Sequence, residues 1–237
     1  MDATIAAQAR ATVTAAAVNL VMSARDDRPT MRAVLDTTLA VPDGQPLVWA
    51  LHLLGHPRAT RVYGPDLMVH FCAHAARAGI PMYLYGGRSP AALELLIERL
   101  KARFPGLRIV GGFSPPFRQL TPAERERVVQ EIDACGAQVV WVGTGQPKQE
   151  LWMHEMRPLL SAPLLVGVGA AFDFHAGIVS QAPAVMQRHG LEWLYRLSRE
   201  PRRLWRRYLT QNPRFVIGFA RQYLRARVHA RAPRPTP

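Results

Sequence analysis

The chain has 237 residues, 49% hydrophobic and 20% charged, a balance that predicts a folded globular protein and excludes a disordered or low-complexity chain. Its two cysteines, Cys72 and Cys135, stand in unrelated contexts, which excludes a disulfide framework and a cysteine metal site and fits a reducing compartment. The formal net charge of +13 sits at one end: residues 188–237 hold 13 arginines and 2 glutamates, whereas residues 1–187 hold 17 basic and 15 acidic residues.

Residues 1–10 are rich in alanine and predict a short helix. They lack the basic-then-apolar opening of a secretory signal, and no run of about 18 apolar residues predicts a membrane span. Residues 12–21 are apolar and partly β-branched and predict a buried strand. Residues 23–39 carry Met31, Val34, Leu35 and Leu39 at helical spacing. Pro42-Asp43-Gly44 then interrupts two apolar runs with a tight turn, Pro fixing φ and Gly accepting positive φ. Asp43 has two readings there. Its carboxylate bonds a backbone N–H two residues on, or it stands free at the mouth of a sheet, able to take a proton. Asp66 precedes the apolar-periodic residues 67–78 and is placed to cap a helix.

From residue 81 strands and helices alternate. Residues 81–85, 107–110, 138–142 and 164–168 predict strands. Ser89-Pro90 opens one helix, and Thr121-Pro122-Ala123-Glu124 opens another with a capping box. Apolar strands alternating with amphipathic helices predict an α/β fold, a Rossmann-like, mainly parallel sheet with helices on both faces. Such sheets bind ligands at the carboxyl ends of their strands, which directs attention to Gly86, Gly143 and Gly169.

Beyond Arg188 the character changes. Arginines alternate with Trp193, Tyr195, Trp205, Tyr208, Phe215, Phe219 and Tyr223, with breaks expected at Glu200-Pro201 and Asn212-Pro213. The expected organisation is a core over residues 1–187, a basic amphipathic helical appendage over 188–229 and a disordered tail over 230–237. Aromatic rings settle at lipid headgroup level and arginines meet phosphate, so an anionic membrane surface is the expected partner of the appendage. The alternative is a non-enzymatic nucleic-acid-binding protein with a basic arm.

Gly143-Thr144-Gly145-Gln146-Pro147-Lys148 lacks both the Gly-Lys-Ser/Thr ending of a phosphate loop and the third glycine of a dinucleotide fingerprint, which disfavours a nucleotide-dependent oxidoreductase. It is a strand-to-helix turn, or a polar loop presenting Lys148 and Gln149 to a sugar nucleotide. No Asp-x-Asp is present, and no metal and no cofactor are expected. No Gly-x-Ser-x-Gly elbow marks a serine hydrolase.

Five stretches, in this order, carry a resemblance: Pro42-Asp43-Gly44, residues 61–67 (RVYGPDL), 145–150 (GQPKQE), 167–173 (GVGAAFD) and 190–196 (GLEWLYR). Together they resemble the WecG/TagA/CpsF glycosyltransferases. The resemblance implies a Rossmann-like core with a C-terminal appendage that meets the membrane. It also implies an inverting, metal-independent hexosyl- or N-acetylhexosaminyltransferase of bacterial surface polysaccharide or cell-wall polymer synthesis. The donor would be a UDP-sugar carrying N-acetylmannosamine, its uronic acid or glucose. The acceptor would be a polyprenyl-diphosphate-linked glycan, and the enzyme would work in the cytoplasm on the inner face of the plasma membrane, with no nucleic-acid partner. By position Asp43 matches the catalytic base, Arg61 and Gln149 match polar substrate-pocket residues, and Arg196, Arg203 and Arg206 match appendage arginines that meet the acceptor's diphosphate. Lys148 joins Arg61 and Gln149 in orienting donor and acceptor, and Asp66 is the rival carboxylate. The family usually shows Thr-x-Asn before the base, where this chain has Ala15 and Ala17. The neighbouring Thr14 and Asn19 are the candidates to take over, Asn19 on the strand face of Ala17. The sugar, the acceptor glycan and homo-oligomerisation stay open.

Overall fold

The computed structural model describes residues 1–231. In chain order the elements are α1 (Asp2–Ala6), β1 (Ala11–Ala16), α2 (Val18–Asp26), α3 (Arg28–Leu35), β2 (Leu39–Pro42), α4 (Gln45–Leu53), α5 (Gly64–Ala78), β3 (Met82–Gly86), α6 (Pro90–Arg103), β4 (Ile109–Phe113), α7 (Pro122–Ala134), β5 (Val139–Gly143), α8 (Lys148–Met156), β6 (Leu164–Gly167), α9 (Ala171–His175), α10 (Ala184–Arg188), α11 (Glu192–Arg199) and α12 (Pro201–Arg231). The six strands form one all-parallel sheet in the order β2-β1-β6-β5-β3-β4.

The inner strands are apolar on both faces because both faces are covered. Met82, Leu84 and Trp141 pack toward Met68, Phe71 and Cys72 of α5 and Leu93, Leu96 and Leu100 of α6. The alternate residues Tyr83, Tyr85, Val140 and Val142 pack toward Val128 and Ile132 of α7 and Met153 and Met156 of α8. The period of two distributes one strand between two cores. The predicted helix starts are present: Ser89 accepts from Ala92 N, and Thr121 with Glu124 forms the capping box of α7.

Three local expectations are corrected. Residues 12–21 do not run on as a strand. Pairing with β6 ends at Thr14–Gly167 and with β2 at Ala16–Pro42, so from Val18 the backbone closes its own hydrogen bonds in α2. Residues 23–39 are not one helix. Asp27 accepts from Thr30 N and starts α3 afresh, and Leu39 opens the edge strand β2. Asn212-Pro213 does not break the appendage, because α12 is continuous through Pro213. Proline removes the bond to the carbonyl of Leu209, but Leu209 is 59% exposed, so water can replace it. The helix is also moored there: Arg214 pairs with Asp26 at 2.6 Å, and Leu204, 1% exposed, is buried in the body. Of the expected disordered tail, residues 230 and 231 are helical and residues 232–237 lie outside the described residues.

The chain leaves β3 outward to β4 but returns from β5 inward to β6. The two connections diverge and open a crevice between the carboxyl ends of β3 and β5. Glycine is required on both sides of it. Gly86 has φ +141°, and a Cβ there would lie 2.7 Å from Gly143 C; a Cβ on Gly143 would lie 2.5 Å from the Phe172 ring. Gly143→Ala is expected to destabilise the fold by about 1–3 kcal/mol through overpacking, read as a lowered urea midpoint; an unchanged midpoint contradicts this packing.

Candidate active site

A cleft of about 600 Å³ follows the carboxyl ends of the strands. It runs from Asp43 after β2, past Ala15 and Ala17 after β1 and Gly169 after β6, to the residues 143–146 loop after β5, Arg88 after β3 and the loop after β4. Residues of α11 and α12 close its upper side.

Asp43 extends the β1–β2 ladder by one bond, its N–H donating to Ala16 O at 2.8 Å. Its carboxylate does not bond the backbone two residues on. Oδ1 accepts instead from Gly64 N at 2.7 Å, a free donor in the first turn of α5. Among the described residues no donor reaches Oδ2. The carboxyl lines the cleft, crowded by protein yet open to the cavity. Its pKa is pushed up to about 7: burial is the main cause and the negative Glu192 adds to it, against the Gly64 bond, Arg61 and Arg196.

Arg61 ties this turn to the C-terminal helices. Its Nε donates to Asp43 O at 2.5 Å, Nη1 to Gln187 Oε1 at 3.3 Å and Nη2 to Glu192 Oε2 at 2.6 Å. The other oxygen of Glu192 accepts from Tyr63 OH at 3.0 Å, and Arg61 lies 4.2 Å over the Tyr63 ring. Both charges of this pair are largely covered, at 16% and 17% side-chain exposure.

The opposite wall is cationic. Arg88 pairs with Asp173 at 2.8 Å and with Glu200 at 3.0 Å, and Glu200 also pairs with Arg203. Arg196 lies 5.6 Å over the Phe174 ring. Arg196 Nε and Arg207 Nε are buried without an acceptor, as is Thr144 Oγ1. Burial lowers the pKa of Arg207, and the adjacent Arg196 and Arg203 lower it further. Buried donors without acceptors, gathered beside a cavity, suit a multivalent anion. At the far end Tyr85 and Trp152 stack with centroids 3.9 Å apart. Among the described residues no three His, Cys, Asp or Glu side chains gather around a cation position.

The expected residues fall into two groups. Asp43, Lys148, Arg196 and Arg203 line the cleft, Lys148 exposed at the start of α8, and Arg61 sits behind Asp43. The others are elsewhere. Thr14 is wholly buried, its hydroxyl donating to Glu150 Oε1 at 2.6 Å. Gln149 is wholly buried too; it accepts from Gly169 N at 2.9 Å and donates to Glu150 at 2.8 Å, shaping the floor from below. Asn19 does not share a strand face with Ala17, because it stands in the first turn of α2 beside a smaller adjoining cavity. The amide on the cleft side is Gln146, which donates to Ala15 O at 2.6 Å. Asp66 is no helix cap: Tyr63 holds that position and Asp66 is exposed within the first turn, where helix dipole favours an acid. Arg206 is exposed beside Trp205. The break at Glu200 resets the rotation of the following helix, so Arg203 and Arg207, four apart, share the cleft-facing side.

Arg88, Glu192 and Arg207 line the cleft but were not among the expected site residues. The four-residue spacings Glu192–Arg196 and Arg203–Arg207 were available in the sequence as a signal for two of them. The sequence model of the Glycosyl transferase WecG/TagA/CpsF family matches residues 1–229. That span takes in every strand, the cleft and nearly all of α12, and it replaces the nucleic-acid-binding and oxidoreductase alternatives with sugar transfer. The chain belongs to the WecG/TagA/CpsF glycosyltransferase family.

Proposed function

We propose that this glycosyltransferase is inverting and metal-independent, and moves a sugar from a UDP-sugar to a polyprenyl-diphosphate-linked glycan at an anionic membrane surface. The observation that carries the reading is Asp43: a carboxylate with one unpartnered oxygen and a near-neutral pKa, at the edge of an arginine-walled cleft. An acceptor hydroxyl gives its proton to Oδ2 as its oxygen attacks the anomeric carbon. The bond from that carbon to the UDP oxygen breaks on the opposite side. Positive charge from Lys148 receives the leaving diphosphate, Arg196 and Arg203 meet the acceptor's diphosphate, and the Tyr85–Trp152 end of the cleft offers aromatic surface to the uracil. Arg61 holds the base in position through the Asp43 carbonyl.

Residues 188–229 act in this reading as the appendage that covers the site and meets lipid. No helix among the described residues is long and apolar enough to cross a membrane. Helix α12 instead exposes Trp205, Leu209, Val216, Ile217 and Leu224 together with Arg202, Arg206 and Arg221, a composition suited to the headgroup region on the inner face of the plasma membrane. Turnover of UDP-linked N-acetylmannosamine, its uronic acid and glucose against a lipid-diphosphate acceptor identifies the donor.

Asp43→Asn keeps the Gly64 bond but cannot take a proton, so kcat is expected to fall by about 10²–10⁴-fold; wild-type turnover in this variant removes Asp43 from the role of base. In the wild type, kcat should decline as pH drops through about 7, where Asp43 becomes protonated. The stability consequence has the opposite sense. The folded chain holds the Asp43 proton more tightly than the unfolded one, so this group's contribution is full below about 3.8 and is lost as pH rises through about 7. Asp43→Asn should therefore unfold later than wild type at pH 8, by about 1–3 kcal/mol, less than the whole shift because the carboxylate faces the cavity. Thermal melts should show that gap closing toward pH 4. Replacing Arg206 and Arg221 together by Gln should weaken flotation on phosphatidylserine vesicles by about 2 kcal/mol, roughly thirtyfold; unchanged flotation argues against α12 as the lipid-facing element.

A further inference from the structure

Asp43 stands between two cavities. Beside the large cleft lies a second one of about 100 Å³, and Asp43, Ala17, Glu192, Arg196 and Arg207 line both. The two differ in chemistry. Both have arginines at their edges, Arg196 and Arg207 shared and Arg61 on the small cavity alone, but the small cavity adds Asn19, Gln45, Trp193, Tyr208, Gln211 and Asn212. These are amides and aromatic rings, drawn from α2, α4, α11 and α12. Gln45 and Asn212 make no side-chain hydrogen bond among the described residues, nor do Tyr208 OH and Trp193 Nε1. Asn19 makes only a long contact of 3.5 Å to Gln146 O, and Gln211 uses only its oxygen, toward Arg214 at 3.3 Å. The one carboxylate beside Asp43, Glu192, is already occupied by Arg61 and Tyr63.

Uncommitted amides and hydroxyls beside Trp193 and Tyr208, whose rings meet edge-on at 6.0 Å, suit a neutral polyol that offers hydroxyls at its rim and C–H bonds on its face. The volume is about three water molecules' share of liquid and opens onto the cleft at Asp43, so it takes one edge of a pyranose ring whose remainder lies at its mouth. We infer that this small cavity receives the terminal sugar ring of the acceptor, with its attacking hydroxyl directed at Asp43 and the donor held in the large cleft. The inference rests on the function proposed above. It fixes the order of groups along the line of attack: acceptor ring, hydroxyl oxygen with its proton to Asp43 Oδ2, anomeric carbon, departing UDP. It also accounts for residues from four separate elements converging beside one carboxylate.

Calorimetric binding of the full chain to geranyl diphosphate, and to geranyl diphosphate carrying glucose, galactose or N-acetylglucosamine, tests the assignment. At least one sugar-bearing probe should bind roughly tenfold tighter than geranyl diphosphate, the worth of one or two added hydrogen bonds. Asn212→Ala and Gln45→Ala, on two different helices and at side chains with no protein partner, should each remove most of that gain. Both should leave the affinities for geranyl diphosphate and for UDP unchanged. The inference is overturned if no sugar adds affinity, if the gain survives both substitutions, or if the substitutions weaken UDP binding instead, which assigns the cavity to the donor. If no prenyl diphosphate binds, the proposed function falls with it.

Discussion

One guanidinium holds the site together. Arg61 follows the apolar helix α4 and precedes α5, and each of its three guanidinium nitrogens donates: to the carbonyl of Asp43, to Gln187 and to Glu192. Those partners belong to the turn after β2, to α10 and to α11. A bidentate, always-charged fork suits this task, because lysine cannot present donors in three fixed directions at once. The geometry makes the Asp43 turn and its helical cover a single unit. The Asp43 turn cannot shift without pulling on α11, and α11 carries Arg196, which contributes to the positive field around the same carboxylate.

The electrostatics of the cleft divide along its length. Near Asp43 a second carboxylate and burial hold the proton affinity high, while Gly64 and two arginines oppose them, and the balance comes to rest close to neutrality. Further along, positive groups outnumber their partners. Arg88 and Arg203 share Glu200, and Arg207 has no carboxylate within bonding distance among the described residues. High proton affinity at one carboxylate and a surplus of positive charge place opposite demands on the environment, and Arg196 and Arg207, which line both cavities with Asp43, stand where the two meet.

Much of this was legible in the sequence. Apolar strands in alternation with capped helices fixed the class, and the glycines after β3 and β5 marked the crevice because backbone and ring approach too closely there for any side chain. The Asp43 turn was readable as a motif, but not the choice between its two roles, since its partner Gly64 lies 21 residues on. Thr14 and Gln149 show a different limit. Thr14 pairs with Gly167 across the sheet and Gln149 bonds Gly169, yet strand alternation and helix rotation turn both inward to share Glu150. Arg206 matches the family's appendage arginines by position, but the rotation restarts at Glu200-Pro201 and its neighbour Arg207 lines the cleft. Glu192 was within a recognised stretch but gained its meaning only from Arg61, more than a hundred positions earlier.

The mooring of α12 has a mechanical meaning. Arg214 grips Asp26, Gly218 lets Arg25 pass against the helix, and Leu204 is sunk into the body. Thus the longest helix is a keel bolted along the hull and not a tether trailing from it. Any surface that this keel meets therefore sets the pitch and heading of the whole sheet at once.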